Sequence, residues 1–236
     1  MPPTHSPSSQ HLPQHFKKIR SFVLRQGRLT AAQQWALDTQ WETFCLDHNQ
    51  HYDLAGVFGR NAPLVVEIGF GNGEGLAAMA ASKPEWNFIG IEVHRPGVGH
   101  LLMLAARQGL YNVRVFCHDA VEILEQQIPD HCLAAVHLFF PDPWPKRKHH
   151  KRRIVTTAFV DLVARKLAGG GRFHAATDWK PYAEWMLVEL RKEPRLQNIN
   201  SEGGYCPRPA ERPMTKFEQR GIKLGHKVWD LVFVRK

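Results

Sequence analysis

The chain predicts an α/β fold, with a mostly parallel seven-stranded sheet, helices on both faces and an antiparallel strand near the C-terminus. Three observations lead there. From Pro63 onward, short β-prone runs alternate with helical stretches, the order in which a parallel sheet is wound. A turn holding Gly69, Gly71 and Gly73 joins the first of those runs to the first helical stretch. Beyond residue 195 the alternation fails, and no helix long enough for a crossover clearly separates the last two runs. At least one antiparallel pair is expected there.

The elements follow in order. From Thr30 to His48, Leu37, Trp41, Phe44, Cys45 and His48 recur at helical spacing, which predicts one amphipathic helix packed on the main body. Leu64 to Ile68 is a strand, Gly75 to Ser82 a helix of small residues stopped near Pro84, and Asn87 to Glu92 a second strand. Pro96 suits a helix start and Gly109 its end. Val113 to Cys117 makes the third strand, Val121 to Gln127 a short helix, and Leu133 to Phe140 a strongly apolar fourth strand. A helix over Thr157 to Leu167, a strand over Gly171 to Thr177 and an amphipathic helix over Pro181 to Lys192 follow. Leu196 to Asn200 is a weak strand, Gly203 to Pro213 a loop, and Val228 to Val234 the last strand.

Residues 1–29 read as a basic, disordered tail: Met1 to Gln14 is Pro, Ser, His and Gln, followed by Lys17, Lys18, Arg20, Arg25 and Arg28. Residues 30–236 then form a single domain with an N-terminal helical extension. The tail has no cationic start leading into an apolar stretch, so no secretory signal is expected. No run of roughly 20 apolar residues exists to span a bilayer. Cys45, Cys117, Cys132 and Cys206 lie far apart without a CxxC pair, consistent with reduced thiols and a cytoplasmic protein. Lys and Arg number 31 against 22 acids, a net charge of +9. An anionic partner is expected, nucleic acid or a membrane surface.

The glycine turn narrows the chemistry. Its sequence, Glu67-Ile68-Gly69-Phe70-Gly71-Asn72-Gly73, lets the backbone turn sharply and approach a ligand. The dinucleotide fingerprint fails, because the third glycine would have to stand at Glu74, or at Leu76 in the other frame. Glu67 and Glu74 would repel a pyrophosphate and suit a cation. S-adenosylmethionine carries both a sulfonium and an ammonium. Glu92 closes the second strand roughly 20 residues on, where an acid accepts ribose hydroxyls. Asp119 closes the third, within reach of an adenine amino group. Together with Asp142 and Asp178, these acids fall at carboxyl ends of strands, where ligands gather in such sheets.

Directly after the fourth strand come Pro141-Asp142-Pro143-Trp144-Pro145, then eight positions, Lys146 to Arg153, holding six Lys or Arg and two His. A carboxylate beside so dense a cationic run points to chemistry on a polyanion. The plainer alternative is a solvated loop.

At this point the chain resembles the tRNA (guanine-N7) methyltransferases, of the class I adenosylmethionine-dependent, Rossmann-like fold. The resemblance runs from about Leu64 to the C-terminus. It rests on the glycine turn, Gly90-Ile91-Glu92, Asp119-Ala120, Phe139 to Arg153, Ala176-Thr177-Asp178 and Thr215-Lys216-Phe217-Glu218. It implies methyl transfer from S-adenosylmethionine to guanine N7 in the variable loop of tRNA. Glu67, Glu92, Asp119 and Asp142 would line the cofactor pocket around Gly69, Gly71 and Gly73, and Asp142 would serve catalysis. Lys146, Asp178, Thr215, Lys216, Phe217 and Glu218 would contact the guanine or its nucleotide. Lys148, His149, His150, Lys151, Arg152 and Arg153 would hold RNA.

Guanine N7 offers an in-plane lone pair and no proton to remove, so no general base is needed. Alignment and stabilisation of the positive charge on the purine remain. Asp142, with φ fixed on either side by Pro141 and Pro143, suits that task. It would also accept hydrogen bonds from guanine N1-H and N2-H2, a reading role Asp178 would share. No metal is expected, since His149 and His150 sit among cations with no third ligand at useful spacing. Trp144 is a candidate base-stacking residue, whereas Trp179, Trp185 and Trp229 are expected in the core. Methylation of a different base atom and a non-catalytic RNA-binding role are the alternatives. Nothing in the sequence requires a protein partner, and monomer and homodimer stay open.

Overall fold

The computed structural model describes residues 19–24 and 27–236. Lys17, Lys18 and Arg25 of the expected basic tail lie outside them. Thr30 caps α1 (Ala31–Thr39) in a capping box with Gln33. The chain then turns at Gln40 into α2 (Trp41–Phe44), so the continuous helix expected to His48 is two pieces. The cause lies in the sheet. Cys45 bridges Val115, and Leu46 N–H donates to the Val115 carbonyl at 2.8 Å, so the chain leaves the helix to cover an edge strand. A short α3 (Leu54–Phe58), unforeseen because five residues show no period, starts on Asp53, whose carboxylate accepts from Ala55 and Gly56 N–H. It ends at Gly59 with φ +65°.

The rest alternates as expected: β1 (Leu64–Ile68), α4 (Glu74–Ser82), β2 (Asn87–Ile91), α5 (Arg95–Gln108), β3 (Val113–Phe116), α6 (Ala120–Gln126) and β4 (Leu133–Phe139). After a 3-10 helix (Arg147–Arg152) come α7 (Thr157–Lys166), β5 (Leu167–Thr177), α8 (Lys180–Arg191), β6 (Leu196–Asn198), α9 (Lys216–Lys223) and β7 (Trp229–Arg235). β5 begins four residues before the expected Gly171. Its glycines let it run close to β4, where a Cβ on Gly171 would meet the Leu133 carbonyl at 2.7 Å.

The strands lie in the order β3-β2-β1-β4-β5-β7-β6. β1 to β5 pair in parallel, and β7 pairs antiparallel with both β5 and β6. From β1 the chain proceeds outward through β2 and β3, then crosses back to place β4 on the other flank of β1. That reversal opens a crevice between the carboxyl ends of β1 and β4.

Each face has its own core. Leu64, Val66 and Ile68 of β1 and Val136 and Leu138 of β4 pack with α6, α7 and α8. Val65 packs on the other face with α1, α4 and α5. Burial on both sides accounts for the unbroken apolar run in β1. It also strands Glu67 inside, 5% exposed. All four cysteines are free, and burial pushes the Cys45 thiol up to about 12. Among the described residues, no helix is long and apolar enough to cross a membrane.

Candidate functional site

The crevice holds a cleft of about 220 Å³ lined by Gly69, Ile91, Glu92, His118, Phe139, Pro141, Asp142 and Ile154, with Ser21 and Phe22 from the N-terminal segment. Of the glycine turn Gly69 lines it, while Gly71, Gly73 and Glu67 stand behind that lining. Gly69, Gly71 and Gly73 all have positive φ, +69°, +59° and +74°, which a residue with a Cβ adopts at a cost. The turn is also held from behind. A Cβ on Gly97 at the start of α5 would stand 2.1 Å from the Gly71 carbonyl oxygen. From the side, Glu92 Oε2 accepts from Gly71 N–H at 3.0 Å, while Oε1 accepts from Val93 and His94 N–H.

Glu67 stands near the end of β1, between Gly90 of β2 and His137 of β4 in register. Burial and the charge of Glu92 push its carboxyl up to about 8, from 4.5. Its Oε2 is buried without a hydrogen-bond partner. An orphaned acid oxygen beside a second carboxylate favours a cationic or hydrogen-donating ligand. The group carrying an ammonium and a sulfonium fits this donor set. Asp119 caps α6 through Oδ1, which accepts from Val121 N–H at 2.9 Å. It borders a neighbouring cavity of about 200 Å³, with Lys151, Arg152 and Arg153. The ring of His118 is braced by Glu122 at 2.8 Å and stacked on His48 at 3.8 Å.

Asp142 is exposed at the lip of the cleft. Its loop is held rather than free. Phe140 and Trp144, on either side of the Pro-Asp-Pro triplet, have φ +53° and +45°, conformations that cost non-glycine residues about 1–3 kcal/mol and persist only when surroundings impose them. Phe140 N–H donates to the Ala176 carbonyl at 2.7 Å. The Trp144 indole N–H donates to the Ser21 carbonyl at 3.1 Å, Arg152 lies 5.1 Å over its ring, and His149 meets it edge-on. Trp144, expected as a base-stacking candidate, therefore clamps the loop and the N-terminal segment together.

The basic run forms the 3-10 helix and exposes Lys146, Arg147, Lys148 and Lys151. Desolvation and the surrounding cations Lys148, Arg152, Lys146 and Lys151 hold His149 below its usual range, so it adds little charge at neutral pH. His150 is half-buried and tilts against Trp185. Arg153 corrects the expectation of an RNA contact. It is 4% exposed, its Nε–H donates to the Pro143 carbonyl, and its guanidinium lies over Tyr182 and Trp185. Such a group is committed mainly to the fold, and what it leaves open borders the cavity shared with Lys151 and Arg152.

A second correction concerns Glu218. Expected to touch guanine, its carboxylate is 3% exposed and bound by both terminal nitrogens of Arg212 at 2.7 Å. Thr215 caps α9, accepting from Glu218 N–H. The side chains of Lys216 and Phe217 lie outside the described residues. Asp178 is half-buried between β5 and α8. Beside it Trp179, expected in the core, is 42% exposed, because it stands at the start of α8 rather than within it. Sequence reasoning missed Ser21, Phe22, His118 and Ile154 as cleft residues, and Arg212 altogether. Only His118 carried a signal, through its place beside Asp119.

A family model described as "Putative methyltransferase" matches residues 61–231. A tRNA (guanine-N(7)-)-methyltransferase of Sodalis glossinidius (strain morsitans) is 58% identical over 231 residues, 98% of this chain and 97% of its own. One of Hydrogenovibrio crunogenus is 56% identical over 235 residues, 98% of each. Among solved structures, the 16S rRNA methyltransferase KamB matches with a TM-score of 0.54 at 14% identity, covering 79% of this chain and 95% of that one. The aminoglycoside resistance methyltransferase NpmB1 matches with a TM-score of 0.51 at 14% identity, over 81% and 94%. At such identity the likeness is one of fold, the class I methyltransferase sheet.

Proposed function

The chain belongs to the tRNA (guanine-N(7)-)-methyltransferases, and from that premise we propose how its residues divide the work. It transfers a methyl group from S-adenosylmethionine to N7 of a guanine in tRNA, and the guanine is one in the variable loop. Its substrate makes the cytoplasm its place of action. Bound S-adenosylmethionine supplies a methyl group on an electrophilic sulfonium.

Glu67 and Glu92 hold the cationic end and the ribose of that molecule, around the turn of Gly69, Gly71 and Gly73. Asp119 and His118 face its base. Asp142 orients the guanine and stabilises the positive charge that appears on the purine, a contribution of about two to three powers of ten in rate for one well-placed group. No residue needs to take a proton from N7. Lys146, Lys148, Lys151 and Arg152 neutralise phosphates and bring the loop to Asp142. Asp178 and the Thr215 to Glu218 segment form the far side of the guanine site, Glu218 through its grip on Arg212.

The observation that carries this reading is the placement of Asp142, exposed at the lip of the same cleft as Glu92 and joined by one short loop to the cations. Incubation with labelled S-adenosylmethionine and unmodified tRNA, followed by borohydride and aniline cleavage, tests it. Scission in the variable loop is the expected result; label without scission would mean a different base atom.

A further inference from the structure

Arg212 is the largest fully buried side chain of the described residues, 2% exposed, although it sits in a proline-rich loop far from the glycine turn in sequence. Burying a guanidinium is costly unless every donor is met. Here two carboxylates meet four of the five N–H donors. Nε and Nη2 donate to the two oxygens of Asp230 on β7 at 2.7 and 3.1 Å. Nη1 and Nη2 donate to the two oxygens of Glu218 on α9, both at 2.7 Å. Asp230 Oδ1 also meets His174 Nε2 of β5 at 2.7 Å.

The guanidinium also lies against the rings of Phe139 and Phe140, 5.8 and 5.6 Å from their centroids. Those are the two residues that lead into Pro141 and Asp142, and Phe140 holds φ +53°. One side chain thus touches the end of the Asp142 loop and grips the helix that begins at Thr215. Both phenylalanines also line the cleft.

We infer that Arg212 is a positioning residue for methyl transfer: its planar fork fixes the distance between the Asp142 loop and the Thr215 to Glu218 segment, the two walls between which the guanine is held. This rests on the functional reading above. Two bidentate pairs leave a planar group no rotational freedom, so both walls are referenced to one rigid body. A lysine at the same place keeps the charge but not the fork.

The test compares wild type with Arg212→Lys, each normalised to the fraction that binds S-adenosylmethionine by calorimetry. Single-turnover methylation of unmodified tRNA is expected to fall at least 30-fold, while the tRNA KM and the S-adenosylmethionine Kd stay within threefold. A merely structural role would lower the folded fraction and leave the normalised rate unchanged, which would overturn the proposal. If Arg212→Lys does not fold, Glu218→Gln, which keeps the shape of the partner, reads the same split. Failure of both to fold would assign the network to stability alone and also overturn it. Absence of methylation by wild type would instead remove the functional reading on which it stands.

Discussion

The Nε–H of Arg153 donates to the carbonyl oxygen of Pro143 at 3.0 Å, fastening the last cation of the basic run to the residue that follows Asp142. Run and loop are therefore mechanically one piece. Replacing Arg153 by Ala removes a buried donor and two ring contacts, and is expected to cost about 3 kcal/mol of stability, with turnover lowered and the salt dependence of tRNA binding unchanged. Lys148→Ala and Lys151→Ala should do the reverse, each lowering the slope of log affinity against log salt by about one. Denaturant melts and filter binding at several salt concentrations separate the two classes. Equal salt slopes for all three variants and wild type would leave the run as a solvated surface.

Asp142 is exposed and makes no hydrogen bond found among the described residues, so its removal should cost the fold almost nothing. Asp142→Ala is expected to keep its melting temperature and lower kcat by a factor of about 10²–10³. Asp142→Asn should recover only part, since it restores shape without charge. Wild-type turnover in either variant would place the charge-stabilising group elsewhere.

Glu67 titrates near 4.5 in the unfolded chain and near 8 in the folded protein. The folded state therefore holds an extra proton between those values, and stability falls as pH rises from about 4.5 to about 8. Glu67→Gln should raise the melting temperature of the ligand-free protein at pH 8 more than at pH 5. A cationic ligand beside Glu67 expels its proton. Calorimetry of S-adenosylmethionine binding at pH 7, in buffers of different ionisation enthalpy, should show proton release in wild type and none in Glu67→Gln. Buffer-independent heats in wild type would put the cation elsewhere.

Trp179 is 42% exposed beside Asp178, and this open ring is expected to stack on a nucleotide. Trp179→Ala should weaken tRNA binding about tenfold, in line with the roughly 1–3 kcal/mol of one base–aromatic stack, without changing the melting temperature. A loss of stability with unchanged affinity would return the residue to packing.

The fold was legible where period and punctuation agreed. Gly109 ended α5, Pro63 preceded β1, and the loss of alternation after residue 195 announced the antiparallel β7. The break at Gln40 was not legible, because it depends on the edge of β3, a partner distant in sequence. In the site, the acids at strand ends and the glycine turn could be read from spacing. Arg153 and Glu218 could not be placed, because charge in a sequence says nothing about whether a partner buries it. Arg212 showed no pattern at all: Asp230 and Glu218 meet it only once β7 and α9 are in place.

β7 lies inside the sheet, between β5 and β6, yet residues 229–235 leave the ribosome after every other strand. Until they arrive β6 has no neighbour to join and Asp230 cannot receive Arg212, so a growing chain carries a finished glycine turn beside an unfinished guanine wall. Competence is thus acquired late in synthesis and all at once, and a protein nicked ahead of residue 229 would forfeit it together with two strands.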